Sequence, residues 1–349
     1  MSQPQSKTLH DNWYFGHGLV WLLAPFALLF YFVSAIRRLL FKVGVKKVIK
    51  AEVPVIVVGN ISVGGNGKTP VVLALADYYQ SHGIKVGILS RGYGAKSAVY
   101  PRRVNGDDNA AEVGDEPRLL AIRSQCDVVI DPNRARGAAY LTEELQCELI
   151  ICDDGLQHYA LHRDIELVVM DDRKVGSGYL LPMGPLREGQ WRLSTVDALI
   201  HNSRSMPTFD HAVAPQFLMT LVPGDFTSVS NRAKTCTVEE IRNQVPCSAI
   251  AGIGSPQRFF NQLRDMQITL SHTQPLADHH AMTPSDIPQG TVLMTEKDAV
   301  KAASFAHEAC WFLPVSAHLA PDFFNLIDVK LAKAGLTFNK TDRNNNNGI

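Results

Sequence analysis

The chain of 349 residues carries no net charge, with Lys+Arg and Asp+Glu at 34 each. It therefore lacks the global basic field that holds nucleic acid, and any cationic function must be local. Its six cysteines, Cys126, Cys147, Cys152, Cys236, Cys247 and Cys310, show no C-x-x-C spacing. That argues against a zinc site and suits buried free thiols in a reducing compartment. The N-terminus has only Lys7 ahead of its apolar run and no small-x-small pattern before the following basic cluster, which argues against a cleaved secretion signal. The guanine-reading sequence N-K-x-D is also missing; residues 295–298, T-E-K-D, are at best a distant relative. Long apolar runs are scarce, with one exception.

That exception is residues 19–36, L-V-W-L-L-A-P-F-A-L-L-F-Y-F-V-S-A-I, in which Ser34 is the only polar break. As a helix rising ~1.5 Å per residue it would be roughly 27 Å long, near the ~30 Å of a bilayer core. Trp13, Tyr14, Trp21 and Tyr31 suit the interface, and the basic cluster Arg37, Arg38, Lys42, Lys46, Lys47 and Lys50 follows directly. By the positive-inside rule this places the succeeding domain in the cytoplasm. Pro25 leaves open whether the helix spans or only inserts, and a buried core helix is the bland alternative.

The most informative stretch is residues 55–70, V-I-V-V-G-N-I-S-V-G-G-N-G-K-T-P. A β-branched run gives a buried strand; Gly64, Gly65 and Gly67 let the backbone fold its N–H groups around an anion; Lys68 and Thr69 open a helix with Pro70 in its first turn. In a P-loop the Lys reaches the β/γ-phosphates and the Thr hydroxyl ligates Mg²⁺. Residues 62–69, namely Ser62, Val63, Gly64, Gly65, Asn66, Gly67, Lys68 and Thr69, are the expected nucleotide-binding set. Ser62 stands where the pattern G-x-x-x-x-G-K-[ST] has its first Gly.

Strands and helices then alternate to about residue 201, which predicts a parallel sheet with helices on both faces. The strand at 149–152 runs into Asp153-Asp154, where carboxylates can hold Mg²⁺ beside the P-loop Thr. The strand at 165–170 also ends in an acidic pair, Asp171-Asp172, read as a solvated turn. Gly92-Tyr93-Gly94 follows another strand end, and Asp115-Glu116 precedes a helical pattern that either acid could cap. Residues 176–192 form a Pro/Gly-rich, apolar loop expected to approach the ligand. Gly252-Ile253-Gly254-Ser255-Pro256 reads as a structural βα turn. Asp278-His279-His280 could hold a metal, act as base machinery or form a surface turn. The expected organisation is a membrane-associated helix and basic flank at 1–50, a P-loop kinase core at 51–205, a connecting region at 206–235, a smaller α/β domain at 236–336 and a disordered tail at 337–349.

Taken together, the loop, S-R-G-Y-G, G-D-E-P, D-D-G-L-Q-H, L-P-x-G-P-L-R-E, D-H-H and T-E-K-D-A-V-K resemble, in this order behind an apolar helix, the tetraacyldisaccharide 4'-kinases, inner-membrane enzymes of lipid A biosynthesis in Gram-negative bacteria. The resemblance covers the chain to about Gly335 and makes Ser62 unremarkable. It implies an α/β, P-loop NTPase-like fold with a smaller C-terminal α/β domain and an N-terminal membrane helix. It further implies transfer of the ATP γ-phosphate to the 4'-hydroxyl of a tetraacyldisaccharide 1-phosphate, giving lipid IVA, on the cytoplasmic face of the inner membrane, with ATP and Mg²⁺ required. The same resemblance assigns catalysis to Lys68, Asp154 and a base unit of Asp115 with His279. It assigns the metal to Thr69, Asp153, Asp154, Gln157 and Glu188, and acceptor contacts to Tyr93, Glu116 and Arg187. A lipid disaccharide and the membrane are the implied partners, with no nucleic acid and no obligate protein partner. The competing readings are a membrane-associated regulatory P-loop NTPase and a non-catalytic nucleotide-binding scaffold.

Overall fold

The computed structural model describes residues 12–14, 18–207, 214–244, 246–278 and 280–337. Among these, Ala24–Lys42 forms the first long helix, α1. Ala27 is its only buried residue, while Leu22 before it and Phe26, Leu28, Leu29, Phe32, Val33 and Ile36 within it are exposed. A core helix would bury that surface, so the bland alternative does not hold. Residues Val20–Lys42 are long and apolar enough to cross a membrane.

The large sheet begins with β1 (Val55–Gly59), followed by helix α2 (Lys68–Ser81), β2 (Val86–Ser90) and β3 (Arg102–Val104). Next come α3 (Asp115–Arg123), β4 (Asp127–Ile130), α4 (Arg134–Ala139), β5 (Leu149–Asp153), β6 (Ile165–Asp171), β7 (Ala198–Asn202) and β8 (Gln216–Pro223). The smaller sheet is built from β9 (Phe226–Ser228), β10 (Thr235–Cys236), β11 (Cys247–Ala251), β12 (Leu270–Pro275), β13 (Thr291–Thr295) and β14 (Cys310–Leu313). Helices α5 (Pro256–Asp265) and α6 (Glu296–Ala302) lie between its strands, and β15 (Val315–Leu319) with α7 (Pro321–Lys333) completes the described chain.

The nine-stranded sheet has the order β15-β8-β7-β6-β1-β5-β2-β4-β3. All its pairings are parallel except the two at its edges, β15 with β8 and β3 with β4. The central strands are buried on both faces, as continuous β-branched runs require in a parallel sheet. Along β1, Ile56 and Val58 join the core beneath α2 and α7, whereas Val55 and Val57 join the core on the opposite face with Leu141, Leu156 and Leu186. The six-stranded sheet has the order β10-β9-β14-β13-β11-β12 and its own core around Phe226, Phe260 and Leu293.

Residues 315–336, assigned by sequence to the smaller domain, instead return to the large sheet. β15 pairs with β8, and Phe323, Ile327 and Leu331 of α7 bury in the core under β1. Tyr78 and Tyr79 of α2 both hydrogen-bond Asp328, at 2.9 and 3.1 Å, which fixes α7 against the helix that follows the loop. Within residues 206–235, expected to connect the domains, β8 belongs to the large sheet and β9 to the smaller one. The smaller domain is thus an insertion between β8 and β15.

Candidate active site

The site gathers at the carboxyl ends of β1, β5 and β2, where an open parallel sheet exposes its crevice. Loop residues 60–67 join β1 to α2, with Gly64 and Gly67 at φ 100° and 92°, a region that side chains with a Cβ avoid. Ser62 is buried, and its hydroxyl accepts from Asn66 Nδ2 at 3.0 Å, so the residue that departs from the motif ties the loop to itself. The loop at 176–192 runs alongside: Val63 donates to the Pro185 carbonyl at 2.9 Å and Arg187 to the Ile61 carbonyl at 2.7 Å. Thr69 sits half-buried in the first turn of α2.

Asp153 ends β5 with 1% exposure, and its Oδ1 has no hydrogen-bond partner. Burial, then the nearby charge of Glu116, pushes its carboxyl up to about 7, against the pull of Lys68. Asp154 takes a left-handed φ of 50°, which turns its side chain to Lys68 Nζ at 3.5 Å and Arg187 Nη1 at 3.1 Å. Burial alone would raise its carboxyl, but Lys68 and then Arg187 outweigh it and hold it down at about 2. A buried carboxylate oxygen without a partner beside an ionised neighbour is a natural seat for a hard cation. Among the described residues no three His, Cys, Asp or Glu converge as a metal cage. That is compatible with Mg²⁺, which is commonly bound by one or two carboxylates together with substrate phosphates and water.

Arg134, missed by the sequence reading, is buried below this pair. Its Nη1 and Nη2 donate to the Leu89 and Asp153 carbonyls at 2.8 and 2.7 Å, holding the tips of β2 and β5 together. Gln157 donates to the Asn60 carbonyl at 3.1 Å, next to the loop. Glu188 is buried with both oxygens in use, at 2.5 Å from the Tyr159 hydroxyl and 3.1 Å from Arg192 Nε. His158, also missed, has its imidazole pushed down to about 4 by burial and then by Arg134 and Arg91.

On the other side of the crevice, G-D-E-P starts α3. Gly114 has φ 92°, and an added Cβ would sit 3.0 Å from the Tyr93 carbonyl, so glycine lets this helix start pack onto the exposed Tyr93 turn. T-E-K-D-A-V-K, quoted by resemblance without a role, forms α6 and supplies cations to this edge. Lys297 Nζ lies 2.9 Å from Glu116 and 3.4 Å from Asp278, and Lys301 Nζ lies 4.0 Å from Asp115 and 3.0 Å from Asp298. Arg123 of α3 pairs with Glu296 at 2.5 Å, and Arg118 donates to the Val300 carbonyl at 3.0 Å. The smaller domain therefore bears on the G-D-E-P helix through Glu296, Lys297, Lys301 and the Val300 carbonyl. His279 lies outside the described residues; its neighbour His280 pairs with Asp286 at 3.2 Å.

Asp171 departs from its expected role as part of a solvated turn. It is 5% exposed and accepts from Arg173 Nε at 3.1 and 2.9 Å. The G-I-G-S-P segment is the βα turn expected between β11 and α5, and its Gly254 rests against Gly65 of the loop, where an added Cβ would come within 2.6 Å of the Gly65 nitrogen.

A model of the family described as tetraacyldisaccharide-1-P 4'-kinase matches residues 19–332. The chain is 46% identical over 308 residues to the tetraacyldisaccharide 4'-kinase of Pseudoalteromonas atlantica, covering 88% of this chain and 98% of that relative. To the enzyme of the same name from Haemophilus influenzae it is 43% identical over 335 residues, covering 92% and 98% respectively. It is also similar to a crystal structure of LpxK from Aquifex aeolicus in complex with ATP, with a TM-score of 0.77 and 30% identity, covering 90% of this chain and 99% of that one.

Proposed function

The chain belongs to the tetraacyldisaccharide-1-P 4'-kinase family, and on that premise we propose that it moves the γ-phosphate of ATP, with Mg²⁺, to the 4'-hydroxyl of a tetraacyldisaccharide 1-phosphate at the cytoplasmic face of an inner membrane. The observation that carries the reading is the meeting of Lys68 and Arg187 on Asp154, beside the unpartnered buried oxygen of Asp153.

The loop backbone and Lys68 receive the triphosphate, and the Lys68 ammonium neutralises charge on the group in transfer. Thr69, Asp153 and Asp154 would hold Mg²⁺, with Gln157 beside them; the ion supplies further charge neutralisation on the phosphate oxygens when bound. Once phosphate occupies Lys68, Arg187 remains on Asp154 and keeps it ionised. Asp115 accepts the proton of the 4'-hydroxyl, a contribution of ~10² to 10⁴-fold for a positioned base. Lys301 fixes the Asp115 side of the crevice, Glu116 is held by Lys297, and the pairing of Asp115 with His279 belongs to the same proposal. Tyr93, exposed at the rim, faces the acceptor.

The membrane address rests on α1. Its apolar surface is exposed along nearly its whole length, a patch that soluble monomers avoid. Its basic end stays with the catalytic core: Arg38 lies 4.9 Å above the Trp191 ring, and Phe41 is 6.0 Å from Tyr159. Between them is a cleft of about 530 Å³ lined by Leu39, Val48, Leu161 and Trp191 with Arg38 and Arg163. An acceptor held in the bilayer would meet the crevice on this side.

Incubation with [γ-³²P]ATP and the tetraacyldisaccharide 1-phosphate in mixed micelles tests the reading. Labelled lipid that disappears with EDTA is expected. Bound ATP hydrolysed slowly to free phosphate, with no labelled lipid, would contradict it in favour of a regulatory NTPase.

A further inference from the structure

Four successive carbonyls of the phosphate loop are each met by a side-chain donor from a different part of the chain. Tyr14 Oη lies 3.4 Å from the Val63 oxygen, Asn60 Nδ2 3.2 Å from that of Gly64, Arg173 Nη2 3.2 Å from that of Gly65, and Asn202 Nδ2 3.1 Å from that of Asn66. A peptide unit is planar and trans, so its C=O and the following N–H point in opposite directions. A donor that pins a carbonyl on one side therefore turns the next N–H to the other. The N–H groups so turned are those of Gly64, Gly65, Asn66 and Gly67, and among the described residues none of them donates to a backbone carbonyl. Consecutive N–H groups freed in this way form an anion nest.

Arg173 is the most heavily engaged of the four donors. Besides the Gly65 carbonyl it reaches Asn66 Oδ1 at 2.9 Å, and its Nε is held by both oxygens of Asp171. Its Nη1 is buried without a partner, 3.1 Å from where a Cβ on Gly64 would stand. The Tyr14 ring packs over the guanidinium at 5.2 Å. Arg258 of α5 touches two of the groups that hold the loop: its Nη1 is 3.7 Å from Asp171 Oδ2, and its Nη2 is 3.2 and 3.1 Å from the backbone and side-chain oxygens of Asn202.

We propose that Arg173 is a positioning residue of the nucleotide site, which aims the Asn66 N–H at the triphosphate by holding the Gly65 carbonyl away, and that Arg258 of the smaller domain sets Arg173 and Asn202 in place. The inference rests on the reading of this loop as the ATP site. It gives the smaller domain a direct hold on the donor half of the reaction, separate from its contacts with G-D-E-P. It also joins the segment ahead of the membrane helix, through Tyr14, to the same guanidinium.

The test uses the full chain in detergent micelles with the acceptor lipid. Arg173→Met is expected to raise KM for ATP by roughly 10- to 100-fold, as loss of a hydrogen bond from a charged group implies, with kcat and the acceptor KM nearly unchanged. Arg173→Lys should recover part of the loss, and millimolar guanidinium should recover part of the ATP affinity lost in Arg173→Ala without affecting the parent enzyme. Arg258→Met and Tyr14→Phe should raise the same constant by a few-fold. If the Arg173 variants do not fold, judged by thermal unfolding without nucleotide, Arg258→Met and Tyr14→Phe decide. An ATP KM unchanged in folded Arg173→Met, or in both of the other variants, overturns the inference. Failure of the parent chain to bind ATP would instead overturn the assignment of the loop.

Discussion

Two Asp-Asp pairs end the strands on either side of β1, and their fates differ. Asp153 of β5 and Asp171 of β6 are both buried, at 1% and 5% exposure. Asp171 meets a guanidinium two residues on, Arg173, and a second from Arg258, so both its oxygens are engaged in a closed ion pair. Asp153 has no such arginine at its carboxylate. The buried Arg134 spends its hydrogen bond on the Asp153 backbone carbonyl, and one carboxylate oxygen is left over. The same dipeptide at the same place in the strand thus keeps a carboxylate oxygen open for the proposed cation in one case and fastens a loop in the other. What differs is whether a protein cation has already taken the carboxylate.

The largest effect expected falls on the β5 side. Lys68→Met removes the cation that pairs with Asp154 and, in the proposed reaction, neutralises the transferring phosphate; it should lower kcat/KM by about 10³-fold, measured by lipid phosphorylation. Asp115→Asn should lower kcat by ~10²-fold or more while ATP still binds, so single-turnover labelling would separate chemistry from affinity. Retention of near-parental turnover would remove Asp115 from the base role.

Titration sharpens the contrast further. Because the folded carboxyl of Asp153 stands at about 7, above its unfolded value, the folded chain holds an extra proton between roughly pH 4 and 7. Stability contributed at low pH is then lost as pH rises through that window. Nucleotide-free Asp153→Asn should lack this loss and melt at a higher temperature than the parent at pH 8. The proposed metal role runs the other way, since it needs the carboxylate: the Mg²⁺ concentration for half-maximal activity should fall about fivefold from pH 6 to pH 7 and about twofold more by pH 8, then level off. Asp154, held at about 2, should add no further limb in this range.

The smallest effect expected falls on the β6 side. Asp171→Asn keeps a hydrogen bond to Arg173 but loses the charge, and should raise KM for ATP by a few-fold with kcat intact.

The residue patterns carried much of this arrangement. Strand, glycine-rich turn and Gly67-Lys68-Thr69 are contiguous, so local rules placed them, and Asp153-Asp154 followed from a hydrophobic run ending in acid. Asp171-Asp172 looked the same, and nothing local tells that Arg258, 87 residues later (258 − 171), would approach it. Lys297 and Lys301 were visible as a motif but had no role, because their partners Glu116 and Asp115 are brought to them only by packing of α6 on α3. The return of β15 and α7 to the large sheet was hidden for the same reason: an edge strand and an amphipathic helix do not announce which sheet they join. Ser62 was legible as a departure, while its use, accepting from Asn66, required the fold of the loop.

ATP binding to Asp153→Asn and Asp171→Asn, titrated with and without Mg²⁺, tests this division most directly. Asp153→Asn should bind metal-free ATP like the parent and lose the gain that Mg²⁺ confers, whereas Asp171→Asn should bind more weakly in both conditions and keep that gain. The reverse pattern, with Mg²⁺ dependence lost at Asp171 and kept at Asp153, would contradict the assignment of the two strand ends.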